Sequence, residues 1–256
     1  MHVLHKVLLF HVLLYLGQNA LGSKIIKGTD AKKKSMAYMA SVQNSKGHVC
    51  GGFLVSKDFV MTAAHCDSQN PTSVVLGTHS LKNVNDGTMR YIKKKCKHPD
   101  YDTVISGNDI MLLKLSRKAC LGKKGPIKPI KIPSNPITLK EKQMCSVAGW
   151  GATKTNGSSV DELQVVDIPV INPKTCQTMW NDKLPANVVC AGGYGTNKGF
   201  CQGDSGGPLV CNGKMAVGIV SFNSNNNCDY PNVPNIYTDI SKFLPWFKKI
   251  LKKKQC

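Results

Sequence analysis

The sequence predicts an all-β protein, built as a sandwich or as a barrel. Short apolar segments recur along the chain, and Gly, Pro, Asn and Lys residues suited to turns separate them. The predicted strands cover residues 40–42, 52–55, 73–76, 110–115, 165–168, 188–191, 209–211, 215–221 and 235–238. About 230 residues follow an apolar N-terminal segment, which is enough for two ordinary domains or for one large β unit.

A helix is predicted at the C-terminal end, over residues 241–251. Its apolar face at helical spacing consists of Phe243, Phe247, Ile250 and Leu251. Ser241 is the predicted N-cap, and Pro245 lies in the first turn, where proline is tolerated. The lysines of the last turns complement the helix dipole. A shorter helix is predicted over residues 173–180.

The N-terminal segment predicts secretion. Residues 7–16 form an apolar run that only His11 interrupts, after a short basic start. Such a run is too short to span a bilayer and is typical of the apolar core of a signal peptide. We therefore predict a signal peptide over residues 1–22 and no stable membrane anchor, although an anchor is the alternative interpretation of this segment.

The chain is strongly basic, with a formal net charge of +19 from 34 basic and 15 acidic residues. Basic clusters lie at residues 32–34, 93–95 with Lys97, 117–118 with 123–124, and 248–254. Such a field attracts polyanions and is screened by salt. We expect a sulfated, heparin-like proteoglycan as a partner; the alternative is a solvated basic surface. Nucleic-acid binding is not predicted, because zinc-finger spacing, an aromatic RNP strand and a basic heptad helix are all missing.

The run Phe200-Cys-Gln-Gly-Asp-Ser-Gly-Gly-Pro208 is the most informative motif. It presents Ser205 as a nucleophile, and the backbone N–H groups of Gly203 and Ser205 are candidates for an oxyanion hole. Glycine at 203 permits backbone angles that a tight turn needs. A bare Gly-Asp-Ser-Gly is also compatible with an ordinary turn, but the full run with Cys201 is far more specific.

Two upstream motifs supply partners for this serine. His65 ends the segment Met61-Thr-Ala-Ala-His, and Asp109 precedes an apolar strand that reaches Leu115. A neutral imidazole takes the hydroxyl proton near neutral pH, and a buried carboxylate holds the imidazole in the right tautomer. Each residue alone is compatible with a structural role. Together, in the order His, Asp, Ser, they predict a catalytic triad.

These motifs resemble those of the chymotrypsin-like (trypsin-fold) serine proteases. The resemblance extends from residue 25 to about residue 251. Further segments that carry it are Cys50-Gly-Gly-Phe-Leu-Val55, Val147-Ala-Gly-Trp-Gly151 and Val220-Ser-Phe222. Within the family the chain is most similar to the granule-stored granzymes and mast-cell proteases, which implies storage in secretory or cytolytic granules.

The resemblance implies one protease domain over residues 25–256 with two six-stranded antiparallel Greek-key barrels. The first barrel is expected over about residues 25–130 and the second over about residues 137–240, before the terminal helix. Their junction is expected in the proline-rich segment 126–136. The triad then lies between the barrels, because His65 and Asp109 come from the first and Ser205 from the second.

Eleven cysteines in a secreted chain predict disulfides, although the connectivity does not follow from the sequence alone. The resemblance implies the pairs Cys50–Cys66, Cys145–Cys211, Cys176–Cys190 and Cys201–Cys228. Cys96, Cys120 and Cys256 are then left over, so at least one of them is free or pairs with another molecule.

The resemblance also implies a zymogen. Cleavage after Lys24 would remove a propeptide of residues 23–24 and free the amine of Ile25 to pair with Asp204. A buried carboxylate is costly unless it is paired, which is the physical reason for this step. The activator is either a trypsin-like enzyme or, if the signal peptide ends at Gly22, a dipeptidyl peptidase.

By alignment to the family, Gly199 is the floor of the primary specificity pocket, and Asn223 and Asn235 are its walls. Trypsin-like members carry Asp at the floor position, so cleavage after Arg or Lys is not expected. The two asparagines narrow the pocket, which predicts a small or medium, polar residue. The backbone of Ser221 is expected to bind the substrate as an added strand.

Asn156-Gly-Ser158 is a glycosylation sequon in a polar loop. We expect no cofactor and no metal, because Asp86 is a single acid where calcium-binding relatives use several carboxylates. His48, His79 and His98 are interpreted as surface or structural residues.

The sequence therefore predicts a secreted serine endopeptidase that acts on protein or peptide substrates through an acyl-enzyme. His65 exchanges protons with Ser205 and the leaving amine, Asp109 orients His65, and the N–H groups of Gly203 and Ser205 hold the oxyanion. The alternative is a non-enzymatic basic effector that binds heparin or damages microbes by its charge.

Overall fold

The computed structural model describes residues 25–122, 127–253 and 256. The predicted signal peptide, the propeptide with Lys24, and the lysines at 123, 124 and 254 lie outside these residues. Within the described residues, no helix is both long enough and apolar enough to cross a membrane.

A closed barrel of six antiparallel strands follows a two-residue strand, β1 (Thr29–Asp30). The barrel strands are β2 (Met39–Asn44), β3 (Gly47–Ser56), β4 (Phe59–Thr62), β5 (Ser73–Leu76), β6 (Met89–Lys97) and β7 (Met111–Leu115). Their order around the barrel is β2-β3-β4-β7-β6-β5. The strands β2, β3 and β4 are successive neighbours, and β5 returns to pair with β2, which is a Greek-key arrangement.

The second half of the chain forms another antiparallel sheet. Its strands are β8 (Met144–Gly149), β9 (Gln164–Pro169), β10 (Val188–Cys190), β11 (Pro208–Cys211), β12 (Met215–Phe222) and β13 (Ile236–Asp239). The order is β1-β9-β8-β11-β12-β13-β10, and a single bridge between Val170 and Ala191 links the ends of β9 and β10. The predicted all-β class is confirmed, and β1 adds a seventh strand at the edge of this sheet.

Of the strands outside the predicted ranges, β4 and β8 are mostly buried, whereas β6 has little apolar character of its own. The strand β6 reads Met-Arg-Tyr-Ile-Lys-Lys-Lys-Cys-Lys, and only Arg90 and Cys96 of it are buried. Its lysines face solvent on the outside of the barrel. Barrel closure therefore holds β6 by backbone pairing with β5 and β7, without an alternating apolar pattern.

Two α-helices are described, α1 (Pro173–Met179) and α2 (Leu244–Lys253). The predicted N-cap at Ser241 is wrong, because Ser241 lies in a preceding 3-10 turn, where its N–H donates to Asp239 Oδ1 at 2.9 Å. The first bond leading into α2 runs from Phe247 N–H to the carbonyl of Phe243 at 2.9 Å. The side chain of Asn172 caps the N-terminus of α1. The sequence analysis did not predict this cap.

The segment between the barrels is bonded to both of them. Ile130 N–H donates to the carbonyl of Leu54 in β3, and Ala216 N–H of β12 donates to the carbonyl of Lys131, each at 2.9 Å. The apolar side of α2 packs against the core of the first barrel. The C-terminal helix therefore stabilises the half of the molecule that is remote from it in sequence.

Five disulfides are present, and four are the pairs that the family resemblance implies: Cys50–Cys66, Cys145–Cys211, Cys176–Cys190 and Cys201–Cys228. The fifth joins Cys96 of β6 to Cys256, across 160 residues of sequence. Cys120 is exposed and free. The expectation that at least one of the three remaining cysteines lacks a partner within the chain is confirmed.

Candidate active site

The loop that carries Ser205 is held against both barrels. The carbonyl of Ser205 accepts a hydrogen bond from Gly51 N–H of the first barrel at 2.8 Å. Gly206 N–H donates to the carbonyl of Val220 in the second barrel, also at 2.8 Å. A Cβ atom at Gly206 would lie 2.1 Å from Thr62 Oγ1, so only glycine permits this close approach. Ser205 is thus positioned by the junction of the two halves of the molecule.

His65 and Asp109 come together at one end of the first barrel, because the end of β4 pairs with the start of the antiparallel strand β7. His65 lies in the 3-10 helix Ala64–Gln69 that follows β4, and Asp109 shortly precedes β7. The His65 Nδ1–Asp109 Oδ2 distance is 2.8 Å, and the backbone N–H of His65 donates to Asp109 Oδ1 at 2.9 Å. A carboxylate only accepts hydrogen bonds, so Nδ1 carries the proton and Nε2 keeps a free lone pair.

The sequence analysis missed the second partner of this carboxylate. Ser221 Oγ donates to Asp109 Oδ2 at 2.6 Å. Burial by itself raises the pKa of Asp109, but the hydrogen bonds from His65 and Ser221, together with the positive charge of His65 when it is protonated, outweigh burial, so the pKa lies below its ordinary value. Asp109 therefore stays ionised while only 1% exposed.

Ser205 and His65 line one cavity of about 200 Å³ between the barrels. Ser221 and Asn223 also line it, so four of the predicted site residues meet there. The described residues contain no hydrogen bond from Ser205 Oγ to the imidazole. The two residues nevertheless line the same cavity, and the Nε2 lone pair of His65 is free to act as a base. Hydrogen bonds between a base and a nucleophile often shorten only when substrate is bound, so the missing bond does not argue against such a pair.

Gly203 adopts a left-handed φ of +94°, and a Cβ there would lie 3.0 Å from the Cα of Gly151. Its carbonyl accepts a hydrogen bond from His48 Nε2 at 3.0 Å, while Ser41 Oγ lies 2.8 Å from His48 Nδ1. Burial lowers the pKa of His48 to about 4, and the bond to Gly203 offsets it in part. A neutral His48 thus donates a hydrogen bond to the candidate oxyanion loop. The sequence analysis interpreted His48 as a surface or structural residue and did not predict this contact.

Asp204, next to Ser205, is completely buried. Its carboxylate accepts hydrogen bonds from Gly151 N–H and Cys201 N–H, both at 2.9 Å. Burial raises the pKa of Asp204 to about 7, although these two bonds lower it. Among the residues in the described ranges, no cationic side chain pairs with it. Ile25 is also fully buried, and the bridge from Ile26 to Gly199 brings this segment beside the Asp204 loop.

The three predicted pocket residues do not lie equally close to the cavity. Asn223 lines it, whereas Gly199 and Asn235 are absent from the described lining. The side-chain amides of Asn223 and Asn235 both donate to the hydroxyl of Tyr230, at 3.2 and 2.9 Å. Tyr230 is thus an unpredicted member of this site.

In the described part of the chain, the group with potential metal ligands is Cys50, His65 and Cys66. The two cysteines form a disulfide and offer no thiolate, so this group does not fit a metal ion. The predicted sequon residue Asn156 is exposed.

A protein-family model described as Trypsin matches residues 25–247. The chain belongs to the trypsin family. Duodenase-1 of Bos taurus is 41% identical over 252 residues, which cover 96% of this chain and 97% of that protein. Mast cell protease 3 of Ovis aries is 41% identical over 90% of both chains. Granzyme B(G,H) of Mus musculus is 36% identical over 96% of this chain and 99% of that one.

A solved structure of neuropsin, a serine protease expressed in the limbic system of mouse brain, is similar to this trypsin-family chain with a TM-score of 0.79. The two are 33% identical, and the match covers 88% of this chain and 99% of the other. Membership of the family over nearly the whole described chain makes the protein a serine endopeptidase that acts on protein substrates.

Proposed function

We propose that the protein hydrolyses peptide bonds through an acyl-enzyme on Ser205. His65 Nε2 takes the hydroxyl proton as Ser205 Oγ attacks the carbonyl carbon, and it returns a proton to the leaving amine. Water then attacks the ester while His65 takes a proton from the water and returns one to Ser205 Oγ. Asp109 holds the imidazole tautomer and stabilises the imidazolium ion. The observation that carries the proposal is the Asp109–His65 pair facing the same cavity as Ser205.

The oxyanion formed in each step is assigned to the N–H groups of Gly203 and Ser205. Support comes from the positive φ of Gly203, from the bond between its carbonyl and His48, and from the bond between the Ser205 carbonyl and Gly51. Both carbonyls are engaged away from the cavity by other groups. Preorganised donors of this kind contribute about 3–4 kcal/mol each to transition-state stabilisation.

The test is Ser205→Ala in the processed protein, with Ser134→Ala as the control because Ser134 is an exposed serine remote from the site. We expect Ser205→Ala to lose hydrolysis of a peptide library and labelling by a fluorophosphonate reagent, with unchanged thermal unfolding. The control is expected to retain both activities. Peptide hydrolysis that survives Ser205→Ala would disprove the assignment of the nucleophile.

We further propose activation by cleavage after Lys24, with the new amine of Ile25 pairing with Asp204. The buried, cation-free carboxylate and the buried Ile25 beside its loop support this step. A chain that begins at Ile25 is expected to be active, and a chain that begins at Ser23 is expected to be inactive. Equal activity of the two chains would argue against activation by this route.

The specificity pocket is proposed to be restricted and unlike that of trypsin. Gly199 brings no carboxylate to hold Arg or Lys, and Asn223 adds a polar side chain to the cavity wall. We expect cleavage after small or medium residues. A library profile dominated by Arg or Lys would contradict this interpretation.

Secretion, storage in granules and binding of a sulfated polyanion are proposed together. The chain is similar to granzymes and a mast cell protease, and exposed lysines of β6 and α2 approach one another. A cavity of about 460 Å³ lies between them, lined by Lys97, Lys249, Lys253 and Trp246. Multiple lysine contacts make binding steeply dependent on salt.

Heparin affinity chromatography tests the polyanion proposal. Lys249→Ala with Lys253→Ala is expected to lower the salt concentration needed for elution, while the control Lys174→Ala, on α1, is expected to leave it unchanged. Equal elution of both variants would remove this surface from the proposal. Retention of heparin binding by the inactive Ser205→Ala protein is also expected, because the non-enzymatic role and proteolysis use different surfaces.

A further inference from the structure

The aromatic ring of Tyr230 lies against Gly199, the residue that alignment gives as the floor of the pocket for the residue before the scissile bond, the P1 residue. A Cβ atom built on Gly199 would lie 2.5 Å from Tyr230 Cε2 and 2.9 Å from Cζ. It would also lie 2.3 Å from Asn235 Oδ1. The phenol ring and the asparagine therefore stand where a longer residue at 199 would place its own side chain.

The hydroxyl of Tyr230 is bonded on three sides. It donates to the carbonyl of Phe200 at 2.7 Å and accepts from the side-chain amides of Asn235 at 2.9 Å and Asn223 at 3.2 Å. A phenol has one proton and two lone pairs to share, so all of its hydrogen-bonding capacity is used. Burial raises the pKa of Tyr230 to about 12, which keeps the donor proton in place at neutral pH.

Packing fixes the ring as well as its hydroxyl. The ring contacts the cluster of Ile26, Ala152 and the Cys201–Cys228 disulfide. This disulfide also ties the nucleophile loop to the segment that carries Tyr230. The ring is therefore held by apolar contact on one side and by polar bonds at its tip.

The shape of the cavity agrees with a raised floor. The cavity next to Ser205 is lined by Phe200, Cys201 and Asn223, and Gly199 and Asn235 do not reach it. Its described lining includes no Asp, Glu, Lys or Arg side chain. A P1 residue thus meets an uncharged space. Tyr230 is not part of its described lining, but its hydroxyl is bonded to two residues that are, Phe200 and Asn223, so the ring lies directly behind the cavity wall.

We propose that Tyr230 is the residue that determines P1 specificity, by closing the bottom of the pocket so that only small, uncharged side chains of about the size of Ala, Ser or Val enter. This inference rests on the proposed function, because it assumes that Ser205 attacks the bond after P1. Glycine is then required at position 199, because the ring of Tyr230 leaves no room for a side chain there.

The test compares wild type, Tyr230→Gly and Tyr230→Phe on peptide substrates that differ only at P1, with fluorophosphonate labelling of Ser205 to count active sites. Wild type is expected to prefer Ala, Ser or Val over Phe and Leu. Tyr230→Gly is expected to raise the ratio of kcat/KM for P1 Phe to that for P1 Ala by about 100-fold, because one methylene is worth about 10–200-fold in such pockets. Tyr230→Phe retains the ring and is expected to keep the wild-type preference.

The outcomes separate this inference from the proposed function. Wild-type protein that labels at Ser205 but prefers P1 Phe, Leu or Arg overturns the role of Tyr230 and leaves the protease assignment standing. Wild-type protein that neither labels nor hydrolyses any peptide overturns both. If Tyr230→Gly does not fold, the wild-type and Tyr230→Phe profiles decide, because a preference for large P1 residues in either one contradicts a closed floor.

Discussion

Replacing Asp204 by Asn is expected to change how the stability of the uncleaved protein depends on pH. In the folded chain burial raises the pKa of Asp204 from 3.8 to about 7. Between these values the folded state holds a proton that the unfolded state has released, so the free energy of unfolding decreases as the pH rises. A difference of roughly three units, at about 1.4 kcal/mol each, amounts to about 4 kcal/mol.

The assay is urea unfolding of the uncleaved Ser205→Ala protein, with and without Asp204→Asn, at several pH values between 4 and 8 and with disulfides intact. The Ser205→Ala background prevents self-digestion. The difference in unfolding free energy between the two proteins isolates Asp204 from all other titrating groups. Between pH 4 and pH 8, we expect the unfolding free energy of the Asp204→Asn protein to increase relative to that of its parent by about 4 kcal/mol. A difference that stays constant over this range would refute an unpaired, buried carboxylate.

Three further substitutions have defined outcomes. Folding lowers the pKa of His48 to about 4, so the parent protein should lose about 3 kcal/mol of unfolding free energy as the pH falls from 6.5 to 4. His48→Gln should not show this loss, and thermal unfolding at several pH values measures the difference. Ser221→Ala should reduce kcat/KM by at least about 10-fold, since a hydrogen bond to a charged group contributes about 1.5–3 kcal/mol. Cys256→Ser should destabilise the protein by about 2–4 kcal/mol in calorimetry, because it opens the Cys96 crosslink, whereas Cys120→Ser should not.

The sequence is most informative at the candidate nucleophile, Ser205. The run around Ser205 specifies a turn, a hydroxyl and two candidate donors within nine residues, so its local geometry follows from its own residues. Most strands of the two sheets are predicted where apolar residues alternate or cluster, although the apolar strands β4 and β8 lie outside the predicted ranges. The lysine-rich β6 was missed because its place in the barrel depends on its neighbours.

For the specificity pocket, by contrast, the sequence did not indicate all of the residues that lie near Gly199. Alignment identified Gly199, Asn223 and Asn235, but nothing near Tyr230 in the sequence marks a ring that reaches back 31 residues to Gly199. The N-cap at Ser241 failed for a related reason: Asp239 captures the N–H of Ser241 and starts a 3-10 turn before the helix. Both outcomes depend on contacts that compete with the local preference.

By itself the sequence determined the all-β class, the identity of the three candidate catalytic residues and the basic character of the surface, because each follows from residue types at short spacing or from composition. Only the tertiary structure decided that Ser221 bonds to Asp109, that His48 bonds to the carbonyl of Gly203, that Cys96 pairs with Cys256, and that the ring of Tyr230 lies against Gly199. These contacts join distant parts of the chain, and they exist only once the closed barrel and the second sheet have formed and met.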